Sequence, residues 1–203
     1  MTDAKADQDD LDPELWIEVP LTFPAGHLAG PDDWADEVAR QAAVPGGVQA
    51  DLIRAGARAI ASHPGNGAHR RYWYYPLAGH ALAVVQQYRL ARTPALENVL
   101  VDLLAEVPSP STDPVVTELA PRSAERLVRV ARLARGDDEE PLPRVYGVVR
   151  VARVEGDHID IFEVIDDQLP WVGQMLEHLD VLAGAATQQA NATALSQPSE
   201  VTT

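Results

Sequence analysis

The chain has 203 residues, no cysteine, 46% hydrophobic and 23% charged side chains, and a formal net charge of −15. Disulfides, thiol catalysis and cysteine-ligated metals are thereby excluded, and the length suffices to bury one core of ordinary size. No run of 18 apolar residues occurs, and the acidic first residues lack the apolar segment of a secretory signal, so a cytoplasmic protein without membrane contact is expected.

Charge falls in blocks. Residues 1–39 carry eleven acids against Lys5, and residues 154–180 carry eight acids and no base. The acidic total argues against nucleic acid as a partner, because phosphate binding needs clustered cations. Fifteen of the sixteen basic residues are arginine. So strong a bias warns against reading function into each one.

In chain order, residues 1–13 read as a disordered acidic N-terminus, 14–184 as a single domain and 185–203 as a disordered tail. Leu15 to Val19 alternate and stop at Pro20, as an edge strand does. Pro31 with Asp32, Asp33, Asp36 and Glu37 opens a helix bearing Trp34 and Val38. A second helix runs from Val48 to Ser62 and breaks at His63-Pro64-Gly65. Tyr72 to Tyr75 and Leu82 to Val85 read as hairpin strands around a loop at 76–79. Thr93 and Pro94 start a helix whose stripe is Leu96, Val99, Leu100, Leu103 and Leu104. Val115 to Leu119 is a short strand.

Residues 124–135 place an arginine every third position, a spacing that matches neither strand nor helix. A strand is preferred over a helix because the hairpin that follows needs partners. That hairpin runs from Tyr146 to Val154 and from Ile159 to Ile165 around Glu155-Gly156-Asp157-His158. Asp166 or Asp167 then caps a last helix, with Trp171, Met175, Leu176, Leu179 and Leu182 inward and Gly184 as its stop. Hairpins with interspersed helices imply the α+β class, an antiparallel sheet flanked by helices on both faces.

The chemical motifs are sparse. No phosphate-binding glycine loop and no nucleophile elbow occurs, and no pair of histidines has metal-ligand spacing. Neither a metal, nor a cofactor, nor a catalytic residue is assigned. The most unusual cluster is Arg71-Tyr72-Trp73-Tyr74-Tyr75. Together with Tyr146 and Phe162 of the later hairpin it forms the candidate partner-binding surface, since tyrosine, tryptophan and arginine are enriched where proteins meet. Half of these aromatics would serve as core in any sheet. A second candidate is a polar cluster of His80, Asp160 and Glu163 beneath the helices.

The segments Trp16 to Pro24, Trp34 to Val38, "LVRVARL", "VYGVVRVARV" and "DHIDIFEVI" stand in an order that resembles small actinobacterial proteins of a PsbP-like type. The resemblance implies a sheet between helices and a non-catalytic adaptor or assembly role, with no catalytic residue to carry over. The expected function is a protein-interaction module, of an accessory, chaperone or immunity type for a secretion or toxin system, which binds another protein and is able to self-associate. The alternatives are a small-ligand binder or enzyme with a pocket between sheet and helices, and a structural subunit of a larger assembly.

Overall fold

A computed structural model describes residues 11–42, 49–75, 84–136 and 144–186. The chain is α+β. Its strands are β1 (Trp16–Glu18), β2 (Arg70–Tyr74), β3 (Val84–Ala91), β4 (Val115–Leu119), β5 (Arg126–Arg135), β6 (Val145–Glu155) and β7 (His158–Asp166). They form one antiparallel sheet in the order β1-β2-β3-β7-β6-β5-β4. The helices are α1 (Pro31–Ala42), α2 (Gln49–Ser62), α3 (Pro94–Asn98), α4 (Leu100–Ala105) and α5 (Leu169–Leu182). Among the described residues no helix is long and apolar enough to cross a membrane.

Successive side chains of a strand point to opposite sides, and three apolar clusters follow from that rule. Leu127, Val149, Val151, Phe162 and Val164 pack with Val172, Met175 and Leu179 of α5. Their sequence neighbours Val128, Val130, Ala152, Val154, Ile159 and Ile161 pack with Leu100 and Leu104 of α4. At the other end of the sheet Trp73 joins Trp34 and Val38 of α1 with Ile53 and Ile60 of α2.

Residues 126–135 are a strand, and the register explains their arginines. Arg129 reaches Asp180 of α5, while Arg132, three residues on, donates to the carbonyl of Ala105 at the end of α4. The β6–β7 hairpin turns at Gly156 and Asp157, where Gly156 takes a φ of +56° that disfavours a side chain. Thr93 caps α3 by accepting from the amide of Leu96, but the single helix expected there is split at Val99, whose ψ of 8° leaves helical geometry. Leu100 and Leu104 are buried, whereas Val99 and Leu103 are exposed.

Four further expectations need correction or lie elsewhere. The N-cap of α5 is Gln168; Asp166 instead accepts from the Gln168 amide at 2.7 Å. β3 runs on to Ala91, well past Val85. Ala185 is buried and Ala186 donates to the carbonyl of Ala120, so ordered structure extends past residue 184. The loop at 76–79, His80, and most of the terminal segments lie outside the described residues.

Arginine has a recurrent task in this fold. The last carbonyls of a helix have no partner within it and carry partial negative charge. Arg71 of β2 donates to the carbonyls of Ile60, His63 and Pro64 at the end of α2. Arg150 of β6 donates to those of Leu104 and Glu106 at the end of α4. Arg122 donates to Val181 and Ala185 at the end of α5. There the amides of Gly184 and Ala185 also close back on Val181 and Asp180, a Schellman turn with Gly184 at a φ of +100°. Three helix ends are thus tied down by guanidinium groups from the sheet and its connections.

Candidate functional site

Five of the seven residues of the candidate partner surface are buried. Arg71, Tyr72, Trp73, Tyr74 and Phe162 are each at most 5% exposed, and only Tyr75 and Tyr146 are half-buried. Alternation divides the aromatic run: Trp73 packs among α1 and α2, while Tyr72 and Tyr74 join the α5 cluster. Tyr74 stacks at 4.9 Å on Trp16, and its hydroxyl meets Nδ1 of His178 at 2.6 Å. Arg71 is the clamp on α2; burial lowers its proton affinity, with Tyr88 acting in the opposite sense. A partner would therefore meet core side chains here only by displacing them.

The second candidate cluster is taken apart by the strand period. Asp160 and Glu163 are three residues apart on β7 and so point to opposite sides of the sheet. Glu163 lies in a cross-strand row Arg71, Gln86, Glu163, Arg150. There it accepts from Nε of Arg150 at 2.7 Å. Asp160 lies in the row Arg89, Asp160, Arg153, with no exposed surface. Arg89 grips it through Nε at 2.8 Å and Nη2 at 3.0 Å, and Arg153 through Nη2 at 2.7 Å. Burial alone pushes the Asp160 carboxyl up, but the bonds from Arg89 and Arg153 outweigh it and hold the group below the usual carboxylate range.

Next to that triad, on the α5 side, the sheet and the C-terminal end of α5 line a partly open pocket of about 270 Å³. Its floor is Gln87 of β3 and Phe162 of β7, which are paired in register, with Tyr72 of β2 and Arg153 of β6 each two residues along from the positions that pair with them. Val181, Leu182 and Gly184 of α5 form one wall; Arg122 and Ser123 of the β4–β5 connection and Leu11 form others. Arg70 with Glu18, and Arg153 with Glu155, flank the floor at 3.8 Å and 3.5 Å. The Arg153 guanidinium also sits 5.7 Å from the centre of the Phe162 ring.

Gln87 is the informative residue of this cavity. It is 2% exposed, and its side-chain carbonyl accepts from the Tyr72 hydroxyl at 3.1 Å. Its amide NH₂ makes no hydrogen bond among the described residues while the side chain lines the cavity. The amide nitrogen is not cut off from solvent, so its donors face water in the pocket. A donor preset toward a concave space is what a ligand site supplies. Sequence reading missed Gln87 because it lies in the polar run Gln86 to Arg89, which has no strand-like apolar alternation.

Asp180 lies on α5, next to Val181 of the cavity wall. It accepts from Nη1 of Arg129, while its Oδ1 has no partner. Burial, with Glu177 adding repulsion and Arg129 opposing, pushes its carboxyl up to about 6. A carboxyl raised above its ordinary 3.8 binds more protons when folded than unfolded, so its contribution to stability falls as pH rises from about 4 to about 6. Asp180→Asn keeps an acceptor for Arg129 without the charge. Its unfolding free energy relative to the native chain is expected to improve by about 2–3 kcal/mol between pH 4 and pH 7. Chemical denaturation across that range checks this, and a difference independent of pH would refute it.

Among the described residues no group of three or more histidine, aspartate or glutamate side chains is placed to hold a metal. His158 stands 3.5 Å from Asp160 and 3.2 Å from Asp157, on the same side of β7 as Asp160. Comparison with protein-family models, with curated proteins and with solved structures finds no significant match in any of the three. The functional argument therefore rests on the residues themselves.

Proposed function

We propose that this protein binds a small molecule in the cavity between the sheet and the C-terminal end of α5. The observation that carries this reading is Gln87, a side chain held by Tyr72 whose amide donors face a concave, mostly polar pocket. The volume lies just under the range typical of drug-sized sites, which suits a small metabolite. The frame is rigid: Arg153 is fixed by Asp160 and Phe162, and Arg122 by the end of α5. Preset side chains of this kind lower the ordering cost of binding.

The test is a thermal-shift screen of the whole chain against fragments of about ten non-hydrogen atoms, repeated on Gln87→Leu. Some fragments are expected to raise the melting temperature of the native chain and to lose about tenfold in affinity for the variant, the equivalent of one hydrogen bond. Fragments that stabilise both chains alike would count against the reading.

A protein-interaction module is the second reading, and one observation favours it. β4 closes one side of the sheet and exposes Val115 at 64% and Val116 at 45%. An apolar edge strand is a template for pairing with another chain. A stoichiometric partner protein on the natively purified chain, with no small molecule bound, would favour this reading over the first.

A further inference from the structure

We infer that the ligand is an uncharged carbonyl compound, a ketone, ester or tertiary amide with a short hydrocarbon body, whose oxygen accepts from the Gln87 amide. This rests on the small-molecule reading above and names the class of molecule that the pocket would take.

The lining charges are the first argument, because each is already answered within the fold. Arg153 donates to the buried Asp160 at 2.7 Å and has Glu155 at 3.5 Å. Arg122 donates to the carbonyls of Ala185 at 2.9 Å and Val181 at 2.8 Å. Arg70 has Glu18 at 3.8 Å, and each of these arginines makes a further interaction besides. An anionic ligand would find every guanidinium of the lining engaged. An ammonium group would find Glu18 and Glu155 already in ion pairs. A charge taken out of water without gaining a new partner is costly, so the pocket favours a molecule that carries none.

Gln87 supplies the second argument. Its side-chain carbonyl accepts from the Tyr72 hydroxyl at 3.1 Å, which sets the amide with its NH₂ group toward the pocket. An amide NH₂ donates and does not accept, so the end of the ligand that meets it is an acceptor. A carbonyl oxygen accepts only. A hydroxyl brings a proton that needs an acceptor of its own, and the carboxylates and the amide carbonyl of this lining already have donors. The hydrocarbon body would lie on Phe162, Leu11, Val181 and Leu182. A volume of 270 Å³ is the space of about nine water molecules, which suits a ligand of similar heavy-atom count.

The probes are cyclohexyl methyl ketone, 1-cyclohexylethanol, 1-cyclohexylethylamine and cyclohexanecarboxylate, which share one body and one size and differ in the polar end. Each is titrated into the whole chain and followed by NMR of the Gln87 side-chain amide, which gives both location and affinity. The ketone is expected to shift that signal, to bind at least about tenfold more tightly than the amine or the carboxylate, and at least about fivefold more tightly than the alcohol. Gln87→Glu keeps an acceptor for Tyr72 and loses the donors, and should weaken the ketone at least about tenfold, read from the backbone amides of residues 181–184. If the amine or the carboxylate matches the ketone while the Gln87 signal moves, the uncharged class is wrong and the pocket reading stands. An alcohol that matches the ketone likewise overturns the carbonyl assignment alone. If no probe moves the Gln87 signal, both the class and the pocket reading fall.

Discussion

Replacing Asp160 by alanine is expected to destabilise the protein by about 3–5 kcal/mol, which in a chain of this size lowers the melting temperature on the order of 10 °C. The carboxylate has no exposed surface and holds Arg89 and Arg153 across three strands. Without it, two guanidinium groups face each other across β7 with their shared counter-charge gone. Removing one member of a buried ionic group costs far more than the group contributes net, because the remaining charges stay desolvated. Denaturant unfolding of the variant against the native chain measures the loss, and a difference under about 1 kcal/mol would refute this account of the triad. The pH dependence has a definite sign. The Asp160 carboxyl is held below its ordinary value, so its stabilisation is complete above about pH 4 and is lost only as the folded-state carboxyl protonates at lower pH.

The second large effect belongs to Trp73. It is fully buried among Val19, Trp34, Ile53 and Ile60, with Tyr75 edge-on at a centroid distance of 5.2 Å. Trp73→Ala removes the largest side chain at the seam of β2, α1 and α2, and is expected to cost about 3–5 kcal/mol. The same variant separates a structural role from a contact role. A core tryptophan lowers stability throughout, whereas a contact residue would leave stability within about 0.5 kcal/mol of native and abolish association instead. Equilibrium unfolding distinguishes the two.

What the chain revealed in advance follows from which residues carry apolar periodicity. The β6–β7 hairpin was legible because valine and isoleucine alternate on either side of Glu155-Gly156-Asp157-His158, and its turn falls there. β5 was legible only through its neighbours, since arginines at every third position suit neither period; the strand uses them alternately, on α5 through Arg129 and on α4 through Arg132. The aromatic run was read correctly as a strand, but its burial depended on α1, α2 and α5 closing over opposite sides of it.

The candidate site was far less legible. Gln87 finds Tyr72 fifteen residues away, and Arg89 finds Asp160 seventy-one residues away. Such polar contacts leave no local pattern. In sequence, Gln86 to Arg89 shows no strand alternation; in the fold it belongs to an interior strand, with polar groups accommodated by partners that only the topology supplies. Asp160 and Glu163 misled in the opposite way. Proximity in sequence suggested one cluster, and the two-residue period of a strand placed them in two.

The most direct test is a crystal structure of the whole chain grown with the tightest-binding fragment from the thermal-shift screen. The expected result is density over Gln87 and Phe162, with a ligand acceptor about 3 Å from the Gln87 amide nitrogen. A fragment seated instead on the opposite side of the sheet, beside Glu163 and α2, with the cavity under α5 empty, would contradict the assignment of the site.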